Sequence, residues 1–420
     1  MKSLLYSVLI ILFTATNSYS TELKEAIDKS IASSIKIKAQ SYALQGAKKQ
    51  LGMNGIASFL PMVTYDFHIA NVNEPEKDMI GRINPNHPSV DYTSKVGQLS
   101  INERIDGSWL AAPSQAKYQI AAEKLNFLQI KQKVLLDAVG AYVKVLTAMG
   151  VEDLSKHNKN VLRQHLDMAQ KRFAVGEVTK TDVFQAEARL AFAMSEQIKA
   201  DGNLKIANAS YARIVGEEPE NLLQPTDLPA IPDSLEECLE TAKKSNPILK
   251  SVFYRHKAAD QAVIIALSKS LPSLDILAKI KNVYKSSNQR DYSLSFNVSV
   301  PIFQRGMNFA AIDQANFTAK QYIHDYYEAI KNIEEEVITR WENVLTVRSI
   351  LDSSQEAVKA AEVVVDGIKQ EAELSLRTTI DVLDAERELF KAKINLTEAE
   401  GNYVISIYNL LFTIGNLNIT

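Results

Sequence analysis

Two kinds of hydrophobic pattern divide this chain. Over Tyr292-Ser293-Leu294-Ser295-Phe296-Asn297-Val298-Ser299-Val300, large apolar residues alternate strictly with Ser and Asn, which predicts a strand with one apolar and one polar face. Val63, Tyr65, Phe67 and Ile69 alternate in the same way with Thr64, Asp66 and His68, and Leu274, Ile276, Ala278 and Ile280 with Asp275 and Lys279. A fourth, less regular strand is expected around Lys95 to Ile105. About nine to eleven alternating residues is the span of a transmembrane β-strand, apolar toward lipid and polar toward a lumen. One such strand alone reads better as a half-buried strand of a soluble sheet.

The second pattern is helical. Ala121, Leu125, Leu128, Gln132, Leu135, Val139, Tyr142, Leu146 and Met149 follow alternating 4,3 steps, and the stripe runs on toward Phe173, where Gly176 breaks it. A helix of roughly 65 residues is about 100 Å long, more than a globular domain of this size can hold. Shorter stripes return at Val183, Ala186, Leu190, Ala193, Gln197, Ala200 and Leu204, and at Val382, Ala385, Leu389, Ala392, Leu396, Ala399 and Tyr403. Alanine at alternate seam positions lets helices approach closely, so these stripes make walls rather than sites.

Both patterns occur twice because the chain is an internal duplication. Leu23-Lys24-Glu25-Ala26-Ile27 recurs as Leu235-Glu236-Glu237-Cys238-Leu239, and Ser58-Phe59-Leu60-Pro61 as Lys269-Ser270-Leu271-Pro272. Further on the offset settles at 199: Asp106-Gly107 matches Arg305-Gly306, Tyr142 matches Trp341, Asp182-Val183 matches Asp381-Val382, and Gly216 matches Gly415. A constant offset over such a length indicates packing that tolerates no insertion, whereas the change from 211 at the prolines to 199 places a loop between Pro61 and Asp106. Each copy is expected to open with one helix, Leu23 to about Ser58 in the first, ended by Pro61. Exposed loops are expected at Asn71 to Asp91 and Asn282 to Asp291. The division is therefore a signal peptide at 1–20, a first repeat at 21–216, a proline-rich linker at 217–234 carrying Pro219, Pro225, Pro229 and Pro232, and a second repeat at 235–420.

Composition sharpens this picture. Met1-Lys2-Ser3, the apolar run Leu4 to Phe13 and Ser18-Tyr19-Ser20 read as an export signal cleaved near Thr21, too short to span a membrane. No later stretch is expected to approach 18 apolar residues, so no transmembrane helix is expected. Cys238 is the only cysteine, so neither an internal disulfide nor an N-terminal lipid on cysteine is expected. Forty-seven basic and 50 acidic residues are mixed along the chain for a net charge of −3, which suggests no nucleic-acid partner. Gly-x-x-x-x-Gly-Lys, His-Glu-x-x-His and Gly-x-Ser-x-Gly are all missing, and the six histidines lack metal-ligand spacing, so no enzyme, cofactor or metal is implied. Lipid tolerates only closed barrels, and four strands cannot close one, so several chains must share a barrel.

Three segments carry a family resemblance: Phe173 to Val183 continuing into Gln185-Ala186-Glu187-Ala188, the strand-to-helix turn Val300-Pro301-Ile302-Phe303-Gln304-Arg305-Gly306, and Arg377-Thr378-Thr379-Ile380-Asp381-Val382-Leu383-Asp384-Ala385-Glu386. With the duplication, they make the mature chain resemble the TolC-like outer-membrane efflux and secretion channels. The resemblance implies an α+β membrane protein: a homotrimer whose twelve-stranded β-barrel, four strands per chain, sits in outer-membrane lipid and continues as a twelve-helix periplasmic α-barrel. It implies a passive exit duct working with a periplasmic adaptor (membrane fusion) protein and an inner-membrane pump or ABC transporter. An exported coiled-coil adhesin or periplasmic structural protein is the alternative, and it would leave the alternating strands unexplained.

By motif position, the resemblance makes Arg377 the cation of the gate network, Thr181 and Asp182 its acceptors within or between protomers, and Asp381 and Asp384 the pore constriction. Three copies of the Asp pair would favour cations and raise carboxylate pKa values by like-charge repulsion. The first repeat has Gln185 where the second has Asp384. A family tyrosine falls at Ala372 and a family glycine at Ser375, so a thinner or differently built closing network is expected.

Overall fold

The computed structural model describes residues 22–74, 89–225, 227–284, 288–374 and 376–417; the expected signal peptide lies outside them. The chain runs α1 (Leu23–Ser33), α2 (Ile35–Ile56), β1 (Met62–Glu74), β2 (Val90–Ile105), α3 (Ser108–Ala174) and α4 (Lys180–Val215). The same order returns as α5 (Leu235–Ser245), α6 (Pro247–Ser268), β3 (Ser273–Tyr284), β4 (Asn288–Ser299), α7 (Met307–Glu373) and α8 (Thr379–Thr413). Both long helices, α3 and α7, have 67 residues. Two compact units divide the chain, one of Met1–Ile37, Ile130–Lys244 and Glu335–Thr420, the other of Lys38–Gln129 and Ser245–Glu334.

The single opening helix expected in each repeat is two helices. Ser34, at φ −56° and ψ 112°, interrupts the first copy, and Asn246, at φ −59° and ψ 122°, interrupts the second. The Asn246 Oδ1 accepts hydrogen bonds from the N–H groups of Ile248 and Leu249 at 2.8 and 3.1 Å, and Pro247 follows at the first helical position, where its missing N–H is harmless. Ser34 Oγ does the same work more weakly, accepting from Ile37 N–H at 3.2 Å.

In the second unit the four strands form one antiparallel meander, β1-β2-β3-β4. The register aligns Tyr65, Leu99, Ile280 and Tyr292 in one row and Val63, Ile101, Ala278 and Leu294 in the next. Because side chains alternate along each strand, these rows share a face with Phe67, Ile69, Phe296 and Val298. That face is bare: Val63, Tyr65, Phe296 and Val298 each keep 60–67 % of their area exposed. The opposite face carries Thr64, Asp66, Ser100, Lys279, Lys281, Ser293 and Ser295, with Ser94 and Ser100 buried. The strands also run further than their apolar bands. β1 and β2 extend through Asn71–Thr93 and Asn73–Asp91 pairs, where side chains bond across the ladder at 3.0 and 2.6 Å, and β3 and β4 reach Tyr284 and Asn288. The loops expected from Asn71 and from Asn282 are shortened accordingly, because cross-strand polar bonds sustain pairing without hydrophobic alternation.

In the first unit, Ala186, Ala193, Ala200 and Ala207 of α4 are buried at seven-residue intervals. Leu162 of α3, Ala193 of α4 and Leu383 of α8 form one buried cluster, and Glu362 of α7 pairs with Lys393 of α8 at 2.8 Å. A Cβ on Gly401 would collide with the Thr147 hydroxyl, and one on Gly150 would lie 2.9 Å from Thr397 Cγ2, so α3 and α8 meet through two reciprocal Gly–Thr contacts. Contrary to expectation, α3 does contain an 18-residue window of mean hydropathy 1.6, 56 % of it buried within the chain. Val139, Tyr142 and Val145 there are fully buried, which makes the stretch a packing surface. Tyr142 also ties down the linker, donating to Leu223 C=O at 2.7 Å and accepting from Leu223 N–H at 3.0 Å.

Candidate functional site

The two helix–helix turns are built on one plan. α3 ends in a reversed turn in which Gly176 N–H donates to Phe173 C=O and Glu177 N–H to Arg172 C=O, both at 2.9 Å, with Gly176 at φ +82°. In the second repeat Leu376 N–H donates to Glu371 C=O at 2.9 Å. The position matching Gly176 is Ser375, which lies outside the described residues. Both return helices then start with a capping box. Thr179 and Asp182 exchange side-chain and backbone hydrogen bonds before α4, and Thr378 and Asp381 do so before α8.

Each turn is also stapled by an ion pair, with the charges reversed between repeats. Arg172, in the last turn of α3, bonds Glu177 at 3.1 Å; Glu371, at the matching place in α7, bonds Arg377 at 2.7 Å. Within the chain, then, the Arg377 guanidinium is not brought to Thr181 or Asp182. Its charged form is favoured first by the Glu371 hydrogen bond and next by that carboxylate's charge. Ala372 occupies the last turn of α7.

The two constriction residues have different surroundings. The Asp381 carboxylate accepts from Thr378 N–H and Oγ1–H at 2.9 and 2.8 Å, which holds its pKa below the usual carboxylate value, as the Thr179 contacts do for Asp182. Within one chain this is the opposite direction from the rise expected of crowded acids. Asp384 instead reaches other cations: Arg189 Nη2 of α4 lies 2.7 Å from its Oδ1 and Arg387 Nη2 lies 3.5 Å away.

Sequence reasoning missed a neighbouring group. Glu386, its side chain 10 % exposed, stands 2.9 Å from His165 Nε2 of α3 and 3.0 Å from Lys369 Nζ of α7. Burial alone would raise the pKa of Glu386, but these two partners outweigh it and hold the carboxyl below its ordinary range. Leu162, Ala193 and Leu383, with Leu190 against them, form the apolar seam beside these pairs. The available signal was position for two of these residues: Arg189 precedes the seam residue Leu190 and Glu386 follows Ala385, where coiled coils place interhelical ion pairs, whereas Asp384 holds no such position.

The model of the outer membrane efflux protein family matches residues 26–217 and 238–416. The outer membrane efflux protein BepC of Brucella suis is 26 % identical over 339 residues, which cover 79 % of this chain and 74 % of BepC. The outer membrane protein TolC of Escherichia coli is also 26 % identical, over 74 % of this chain and 66 % of TolC. Among solved structures, the Campylobacter jejuni CmeC outer membrane channel superposes with a TM-score of 0.82 at 16 % identity, over 94 % of this chain and 85 % of CmeC. With both repeats matched and the fold shared with a solved channel, the chain belongs to the outer membrane efflux protein family.

Proposed function

We propose that three copies of this chain close one twelve-stranded barrel in the outer membrane and that their long helices form a tunnel leading to it from the periplasm. The trimer is the exit duct of a tripartite efflux pump or type I secretion system. Substrates are handed over by a periplasmic adaptor and an inner-membrane pump or ABC transporter, and pass through without chemistry. The observation that carries this reading is the sheet: four strands, bare and apolar across one face, polar across the other, with β1 and β4, among the described residues, each paired on one side only. Such a sheet is stable in lipid only when further strands pair with both edges.

The duct's narrow end is assigned to the helix–helix turns, with Asp381 and Asp384 at the constriction. Arg377 closes the gate with Thr181 and Asp182 of a neighbouring protomer, in exchange with its own Glu371. The protein should fractionate with the outer membrane as a detergent-extractable trimer resistant to mild heating. Deleting the gene should raise sensitivity to drugs or detergents or remove proteins from the culture medium. Arg377→Ser should raise the conductance of channels in planar bilayers. A soluble periplasmic monomer, or a deletion that changes neither phenotype, would overturn the assignment.

A further inference from the structure

The two repeats have diverged in a complementary way around Asp384. Gln185 stands where the second repeat has Asp384, and Arg189 stands where the second repeat has Glu388. The first return helix thus carries an amide where the second has an acid and a cation where the second has another acid, and Arg189 is joined to Asp384: its Nη2 lies 2.7 Å from Asp384 Oδ1, with the arginine side chain only 18 % exposed. The contacts continue along α8. Arg387 lies 3.5 Å from Asp384 and 3.3 Å from Glu388, which Lys391 also approaches at 3.3 Å. In this network three cations face two carboxylates. Asp381, for its part, is engaged by Thr378 at the positive end of the α8 dipole.

We propose that Arg189 is a specificity-determining residue of the duct, compensating Asp384 together with Arg387 so that the tip passes ions of both signs instead of filtering for cations. The proposal rests on the duct reading above. A carboxylate bonded by a half-buried guanidinium presents little net field to a passing ion, and removing that cation would shift the charge at the narrow end by one negative unit per protomer. The arginine side chain is only 18 % exposed and bonded to Asp384, so its compensation is built in rather than dependent on mobile counter-ions.

The test is the reversal potential of the purified, bilayer-reconstituted channel under a steep KCl gradient, for wild type, Arg189→Gln, Arg189→Lys and Asp384→Asn. Wild type is expected to be weakly selective. Arg189→Gln should raise the potassium-to-chloride permeability ratio severalfold, Arg189→Lys should stay near wild type, and Asp384→Asn should move the ratio toward chloride. A strongly cation-selective wild type, or an unchanged ratio in Arg189→Gln channels of wild-type conductance, would overturn the role of Arg189 and leave the duct intact. If Arg189→Gln fails to assemble, an unchanged ratio in Asp384→Asn overturns it in the same way. A correctly assembled wild type that forms no channels would overturn the duct reading itself, and with it this one.

Discussion

Asp381 and Thr378 are bonded three times through their side chains. The carboxylate accepts from the Thr378 N–H and hydroxyl at 2.9 and 2.8 Å, and Thr378 Oγ1 accepts from Asp381 N–H at 3.2 Å. Thr179 and Asp182 repeat the arrangement, so both return helices begin on the same satisfied cap. Thr378→Ala should cost about 1 kcal/mol of local stability. Since the folded pKa of Asp381 is depressed, its contribution is complete above the ordinary value of 3.8 and is lost as pH falls through the lower folded value. Amide exchange protection in the first turn of α8 should therefore decline only in strong acid, and should be insensitive to pH there in Asp381→Asn.

Glu386 is the joint of three helices, and its removal leaves Lys369 and the half-buried His165 facing each other without a carboxylate between them. With a side chain 10 % exposed against partners at 14 % and 48 %, the cluster lies between the exposed and buried limits for ion pairs. Glu386→Gln should cost roughly 2 kcal/mol. A double-mutant cycle with Lys369→Gln, read from urea midpoints in detergent, should return a coupling of about 1 kcal/mol. Additivity would show that Lys369 contributes nothing through Glu386. The depressed pKa of Glu386 fixes the sign of the pH effect: stability is retained above 4.5 and falls as the carboxyl protonates below it.

The strands, the long helices and the doubled order of elements were legible because each rests on a repeating local pattern that packing enforces along its whole length. The strict alternation at Tyr292 to Val300 yields β4, and the 4,3 stripe through Tyr142 yields α3. What escaped notice depends on single residues or on contacts distant in sequence. Ser34 and Asn246 each break a helix with one side-chain cap, which a hydrophobic stripe does not register, although Asn246-Pro247 is a start signal in plain view. Arg189 and Asp384 are 195 positions apart, and their pairing requires knowing which faces of α4 and α8 meet. Asp381 and Asp384 looked equivalent as a pair three residues apart. A capping threonine makes one local and a distant arginine makes the other tertiary.

The break at Asn246 predicts a measurable asymmetry between the repeats. Asn246 is buried and caps two N–H groups, whereas Ser34 caps one at a longer distance. Asn246→Ala should cost about 1–2 kcal/mol, and Ser34→Ala less than half of that. Equal costs in urea unfolding would show that the shared backbone bend, and not the side-chain cap, sets the helix start. Asn246→Ser, which keeps an acceptor, should recover most of the loss.

Tyr142 makes the linker part of the helical unit, since its hydroxyl serves both backbone groups of Leu223 while its ring lies fully buried against Tyr211 at a centroid distance of 6.4 Å. Tyr142→Phe keeps the ring and leaves the Leu223 N–H and C=O without that partner, at a cost of about 1–3 kcal/mol. Burial pushes the phenol pKa up from 10.0 to about 12. A raised folded pKa means that the contribution is fully present below the unfolded value of 10.0 and is lost as pH rises toward 12. The difference in urea midpoint between wild type and Tyr142→Phe should be flat through neutral pH and shrink only in that alkaline window. A difference that already shrinks well below it would place the phenolate in a more solvated setting than the buried ring and its two Leu223 bonds allow.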